Sequence, residues 1–263
     1  VLVQQYMDLA NRRLEGCLRL FSEKLGLLRC VGYKEVERAY GDPDVAVILL
    51  AFFDLTLQGV RDESVFAVDS TGLSTSIKDN WESFLVGKRR YSVFEKIVCV
   101  VGHRYGLVSA FKALDSMHEG ECPALRPLLG EVAARHDRVD LFCGDSAYLS
   151  RENCALVEAL GGVPRFYPKK NTSLRSFGCK AWQDMLLSFI HDSQAWLEEY
   201  HHRYVCESAF SALKRRCLAP LRRRTESRRK LEVVARICVY NLIRLSYARW
   251  TKNLQTPTKP KPK

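Results

Sequence analysis

The chain has 263 residues, 47% of them hydrophobic, which is enough to bury a substantial core and excludes a disordered protein. Its 41 Lys+Arg against 30 Asp+Glu leave a formal charge of +11, and the isoelectric point near 9.2 favours a polyanionic partner, nucleic acid before an anionic membrane surface. The longest uncharged apolar run, Val45 to Phe53, falls short of the ~20 residues a bilayer needs, and Val1 to Leu20 has no signal-peptide character, so a cytoplasmic protein without a membrane role is expected.

In chain order, residues 1–60 read as a helical N-terminal region, a DNA-binding or dimerisation remnant. Val3 to Leu25 has helical apolar spacing, Lys34 to Ala39 forms a short helix or turn, and Pro43 suits the first position of an apolar helix reaching about Leu57. The period then changes. Ser64 to Val68 is a strand-like run ending at Asp69, with Ser70, Thr71 and Gly72 supplying turn chemistry. Lys96 to Gly102 and Leu107 to Leu114 form a hairpin about His103 to Gly106, and an amphipathic helix spans Leu125 to Arg135. Val139 to Cys143 is a buried strand delivering Asp145. Ser150 caps a helix that Gly161 and Gly162 stop, Val163 to Tyr167 is a short strand, and a basic loop follows at Lys169 and Lys170. Beyond Phe177 the chain is helical nearly to Trp250, with breaks near Pro220 and Thr225, and the Pro- and Lys-rich tail within 251–263 is expected to be disordered.

The ten cysteines show no C-x2-C pair and no zinc-finger spacing, and read as reduced, small core residues. Trp81, Trp182, Trp196 and Trp250 are expected to pack in the core rather than stack on bases. His202 reads as structural or superficial.

The most specific signal is a Y-x2-R-x3-E-x6-K array: Tyr200, Arg203, Glu207 and Lys214, within a segment, Glu198 to Arg216, that lacks Gly and Pro. On a continuous helix these residues share a sector of roughly 60° at ~100° per residue. One acid among two cations and a phenol reads as a metal ligand or acid/base group, with Arg203 and Lys214 placed for phosphate oxygens; an exposed, salt-bridged helix is the plain alternative. Asp69 and Asp145 lie at the ends of strands that one mixed sheet can set side by side, and a helix across that edge can add Glu207. Three carboxylates at one place call for a hard cation, Mg²⁺ or Mn²⁺, and two such ions suit displacement at a phosphodiester.

With Tyr200, Arg203 and Lys214 around Glu207, and Asp69 and Asp145 upstream, the segment from Ser64 to Trp250 resembles the DDE catalytic domain of insertion-sequence transposases carrying the Tyr-Arg-Glu-Lys signature. The resemblance implies an α/β, ribonuclease H-like fold, a mixed five-stranded sheet flanked by helices, over 61–250. It implies metal-dependent cleavage at transposon ends and transfer of the freed 3′ hydroxyl into target DNA. Asp69, Asp145 and Glu207 would be catalytic and would hold two Mg²⁺ ions, with Mn²⁺ substituting. Tyr200, Arg203 and Lys214 would contact DNA, and Arg215 and Arg216 extend the cationic tract. Terminal inverted repeats and target DNA are the implied partners, with a homodimer in the synaptic complex of a prokaryotic, nucleoid-associated protein. The 61 residues between Asp145 and Glu207 imply that a large β-rich insertion is absent or reduced. Two alternatives stand beside this reading: a truncated or domesticated copy that binds DNA without catalysis, and a ribonuclease H-like structure-specific nuclease.

Overall fold

Five strands form one mixed sheet in the computed structural model, which describes residues 1–78, 92–114, 119–216 and 220–252. In chain order the described elements are α1 (Leu2–Met7), α2 (Asn11–Leu20), α3 (Tyr33–Ala39), α4 (Pro43–Leu57), β1 (Val65–Lys78), β2 (Ser92–Gly102), β3 (Val108–Ala113), α5 (Glu121–Arg135), β4 (Leu141–Gly144), α6 (Arg151–Ala159), β5 (Val163–Phe166), α7 (Lys180–His191), α8 (Ser193–Tyr200), α9 (Tyr204–Arg216) and α10 (Glu226–Lys252). The sheet order is β3-β2-β1-β4-β5. β2 and β3 are an antiparallel hairpin, whereas β1, β4 and β5 run parallel, with Val68 opposite Gly144 as the last registered pair of β1 and β4. This is the mixed, helix-flanked sheet of the ribonuclease H-like fold that the resemblance implies.

Two compact units divide the chain: Val1–Leu55 with Leu73–Glu95 and Leu213–Leu242, and Thr56–Gly72 with Lys96–Ala212 and Ile243–Lys263. In the second unit, Phe66, Val68, Val98, Val100, Phe142 and Phe166 form a core with α5, α6 and α7. Because strand side chains alternate, Ala67, Cys99 and Cys143 lie on the opposite face, and so do the positions of Asp69 and Asp145. The hairpin turn is fastened by Glu63, a buried carboxylate that accepts from the backbone N–H groups of Ser64, Val65, Arg104 and Tyr105 at 2.7–3.2 Å. In the first unit, Tyr40, Leu49, Leu231 and Ala235 form a separate core, to which Val45 and Ala46 add.

Several sequence expectations change. β1 does not end at Asp69: it continues through Ser70, Thr71 and Gly72 to Lys78, and Thr71, Leu73 and Thr75 bury alternate positions. Strand pairing here outweighs the turn propensity of the triplet. Val3 to Leu25 is two helices, broken where Asp8 adopts a left-handed conformation, φ 49°. Pro43–Val60 is long and apolar enough to cross a membrane by length and composition, because the helix runs on past Asp54, where the uncharged run stops. Trp182 and Trp196 are buried, but Trp250 is 87% exposed, and Trp81 lies outside the described residues, as do residues 253–263 of the tail. All nine cysteines described are free; Cys99, Cys143, Cys154, Cys206 and Cys238 are buried, and Cys30 is exposed rather than in a core.

Candidate active site

Asp69 and Asp145 become neighbours through sheet register. Each immediately follows a member of the Val68–Gly144 pair, and parallel strands lie about 4.8 Å apart. β4 stops there while β1 continues, so Asp145 is free to cap a short 3-10 turn, Ser146–Tyr148, accepting from Ala147 N–H at 2.8 Å. Gly144 is required by close approach: a Cβ there would lie 2.9 Å from both Phe166 and Val68. Asp69 accepts from Ser70 N–H at 2.8 Å through Oδ1, leaving Oδ2 for a cation.

That cation is Arg203. Its Nη1 donates to Asp69 Oδ2 at 2.8 Å and its Nη2 to Glu207 Oε1 at 2.7 Å. Asp69 and Arg203 side chains are each 18% exposed, whereas Glu207 is 54% exposed, so the site opens to solvent on its Glu207 side. The expected single helix is interrupted here. α8 ends at Tyr200, His201–Arg203 form a 3-10 turn and α9 begins at Tyr204, so Arg203 reaches the sheet from a tightened turn that no Gly or Pro announces. Cys206, next to Glu207, is fully buried, and burial, reinforced by Asp69, raises its thiol pKa well above the usual range.

Burial raises the Asp69 carboxyl above the usual Asp range; the Ser70 N–H and Arg203 oppose the shift, and Asp145 and Glu121 reinforce it. Burial also works to lower the Arg203 pKa, but Tyr200, Asp69, Glu207 and Asp145 outweigh it and the net shift is upward. The guanidinium is therefore a fixed positive charge among three acids. Tyr200 stacks on Trp196, centroids 5.3 Å apart, and packs against Tyr167; burial pushes its phenol up to about 12. Trp196 and Tyr200 thus wedge the turn that presents Arg203. His202 packs its ring edge-on against His103 at 4.1 Å.

Two groups absent from the sequence reading border the acids. Glu121, in the first turn of α5, pairs with Lys96 at 2.5 Å. Burial alone would raise its pKa, but hydrogen bonds from Lys96 and Ser70 hold it below the usual Glu range. Tyr148 is buried, and its hydroxyl has no hydrogen-bond partner of standard geometry; burial first, then Glu121, Asp69 and Asp145, raise its pKa well above that of an ordinary phenol. The signal for Glu121 was weak: an acid in the first turn of a helix is commonplace.

Lys214 and Arg215 are exposed on α9, about two turns beyond Glu207, and the Arg216 side chain lies outside the described residues. Among the described residues, no three His, Cys, Asp or Glu side chains close into a metal-holding group. The donor set nonetheless suits a divalent cation. Asp69 and Glu207 share one positive charge through Arg203, and their oxygens are hard carboxylate donors.

Residues 60–242 match the family model described as the transposase DDE domain. Over 234 residues, 89% of this chain and 69% of the relative, the sequence is 29% identical to a protein of Archaeoglobus fulgidus described as a probable transposase for insertion sequence element ISA1214.

Proposed function

Because this chain belongs to the transposase DDE-domain family, we propose that it is an insertion-sequence transposase that cuts DNA at transposon ends and joins the freed 3′ end to target DNA. The observation that supports this reading is the convergence of Asp69 and Glu207 on one cation, Arg203, with Asp145 next to Asp69 in the sheet register. Asp69, Asp145 and Glu207 would hold Mg²⁺, or Mn²⁺ in its place, most naturally as two ions. When bound, the metal supplies Lewis acidity toward the scissile phosphodiester and its attacking oxygen.

The chain's own groups divide the remaining work. Asp69, held from behind by the Ser70 N–H, keeps a fixed direction, so its other oxygen, paired with Arg203 in the resting protein, needs only the release of that guanidinium to meet a metal. Arg203 neutralises the acids in the resting protein and, once released from Asp69, presents its fork to a phosphate at the exposed Glu207 side. Tyr200, stacked on Trp196, fixes the turn that carries it. Lys214, Arg215 and Arg216 would add cationic contacts to DNA phosphates. Paired terminal inverted repeats would be held by two protomers, within the nucleoid of a prokaryotic cell.

Cleavage of a duplex bearing the element's end tests the proposal. Wild-type protein should cut with Mg²⁺ and not with chelator, and Asp69→Asn, Asp145→Asn and Glu207→Gln should each abolish cutting while leaving DNA binding largely intact. Undiminished cutting by the triple variant would overturn it.

A further inference from the structure

The first compact unit contains a cleft of about 620 Å³ whose wall includes five arginines, Arg12, Arg222, Arg223, Arg224 and Arg228, against one acid, Glu37. All of these residues lie within Val1–Leu55 and Leu213–Leu242. Crowding like charges costs folding free energy, so the way they are fastened is informative. The backbone N–H groups of Arg222 and Arg223 both donate to Glu232, at 2.9 and 3.1 Å, and Leu221 N–H donates to Ser74 at 2.8 Å. The three consecutive arginines are thereby set on a fixed strip of chain.

Their side chains take different parts. Arg223 is buried, lies 3.8 Å over the Tyr40 ring and donates to the neutral amides of Gln4 and Asn11, both at 3.1 Å. Its Nε is buried with no partner. A guanidinium held by neutral groups in a low-dielectric wall keeps its field, and a concave wall focuses that field into the cleft. Arg222 is answered by Asp8 at 2.9 Å, and Arg228 only loosely by Glu37 at 3.9 Å. Arg12 and Arg224 are exposed, and Arg12 lies over the Tyr33 ring at 5.3 Å. The cleft is thus rigid at its base and cationic at its rim.

We infer that this cleft binds the phosphodiester backbone of DNA, gripping the duplex at a site distinct from Asp69, Asp145 and Glu207. The inference rests on the proposed action on DNA, and it assigns that grip to α2, α3 and the strip at residues 222–228. Arginine forks suit phosphate oxygens, and a backbone grip reads no base sequence, so end-bearing and unrelated duplexes bind it alike.

The test is fluorescence anisotropy of the full chain with a labelled duplex across a salt series. It compares wild type, the rim pair Arg12→Gln/Arg224→Gln and a charge-matched pair outside the cleft, Arg13→Gln/Lys24→Gln. The rim pair should lose about 10- to 100-fold in affinity, with the slope of log K against log salt falling by about 2, while an unchanged melting temperature shows the fold intact. The matched pair should stay within about threefold of wild type. Equal losses in both pairs, or none in the rim pair, would overturn the cleft while leaving the action on DNA standing. A wild-type protein that bound no duplex would instead remove the functional reading beneath it, and the cleft with it. Binding of a nucleoside triphosphate that the rim substitutions abolish, without any change in duplex affinity, would also reject the assignment.

Discussion

Arg203 donates to Asp69 at 2.8 Å across 134 positions of sequence, and so occupies the oxygen that a catalytic cation would need. Removing that guanidinium should make metal entry easier. We expect Arg203→Gln to bind Mn²⁺ about 3- to 10-fold more tightly than wild type in the absence of DNA, because its ion pairs to Asp69 and Glu207, together worth about 1 kcal/mol, are gone, while binding DNA less well. Calorimetric titration of both proteins with Mn²⁺ reads this directly; equal or weaker metal binding by the variant would show that Arg203 does not compete.

Gly144 places Asp145, and the space beside it is filled by Phe166 and Val68. Gly144→Ala should cost about 1–3 kcal/mol of stability through overpacking. It should also reduce cleavage beyond what the fold loss explains, because β4 shifts where Asp145 leaves it. Thermal denaturation and single-turnover cleavage at a temperature where both proteins are folded separate the two effects.

Glu63 joins the start of β1 to the hairpin turn through four backbone donors. Glu63→Ala strands buried N–H groups and should destabilise the protein by about 3 kcal/mol or more. Glu63→Gln retains one acceptor oxygen and should fall between the two. Urea denaturation of the three proteins checks the order.

His136 is buried against the Phe66 ring, and burial pushes its pKa down to about 4 from 6.5. The unfolded chain takes up a proton at His136 near 6.5 while the folded one does not until about 4. The unfolded state therefore binds more protons in that window, and stability should fall as pH drops through it. In His136→Phe that part of the decline should be absent, making stability between pH 6.5 and 4 less steep; an unchanged slope would contradict this.

The positions of Asp69 and Asp145 were legible because apolar runs lead into both acids, and period-two burial puts them on one sheet face. The continuation of β1 was not, since Ser70, Thr71 and Gly72 favour a turn locally and only pairing with other strands overrides that. The broken helix at His201–Arg203 was equally hidden: nothing in Tyr200 to Tyr204 disfavours a regular helix, and the tightened turn follows from packing Tyr200 on Trp196 while Arg203 reaches Asp69. Arg203 was read as a phosphate ligand, yet its resting partners are the acids themselves. Arg12 carried no signal at all, because its company is assembled from a strip of chain more than 200 residues away.

Strand transfer is the most direct measure of the central claim, since it separates a transposase from a nuclease of the same fold. A pre-cleaved duplex with a 3′ hydroxyl at the element's end is incubated with target plasmid, protein and Mg²⁺, and joined products are counted. Wild type should join the end to the target and Glu207→Gln should not. Joining by Glu207→Gln at the wild-type level, or a wild-type protein that nicks DNA without ever joining it, would contradict the account.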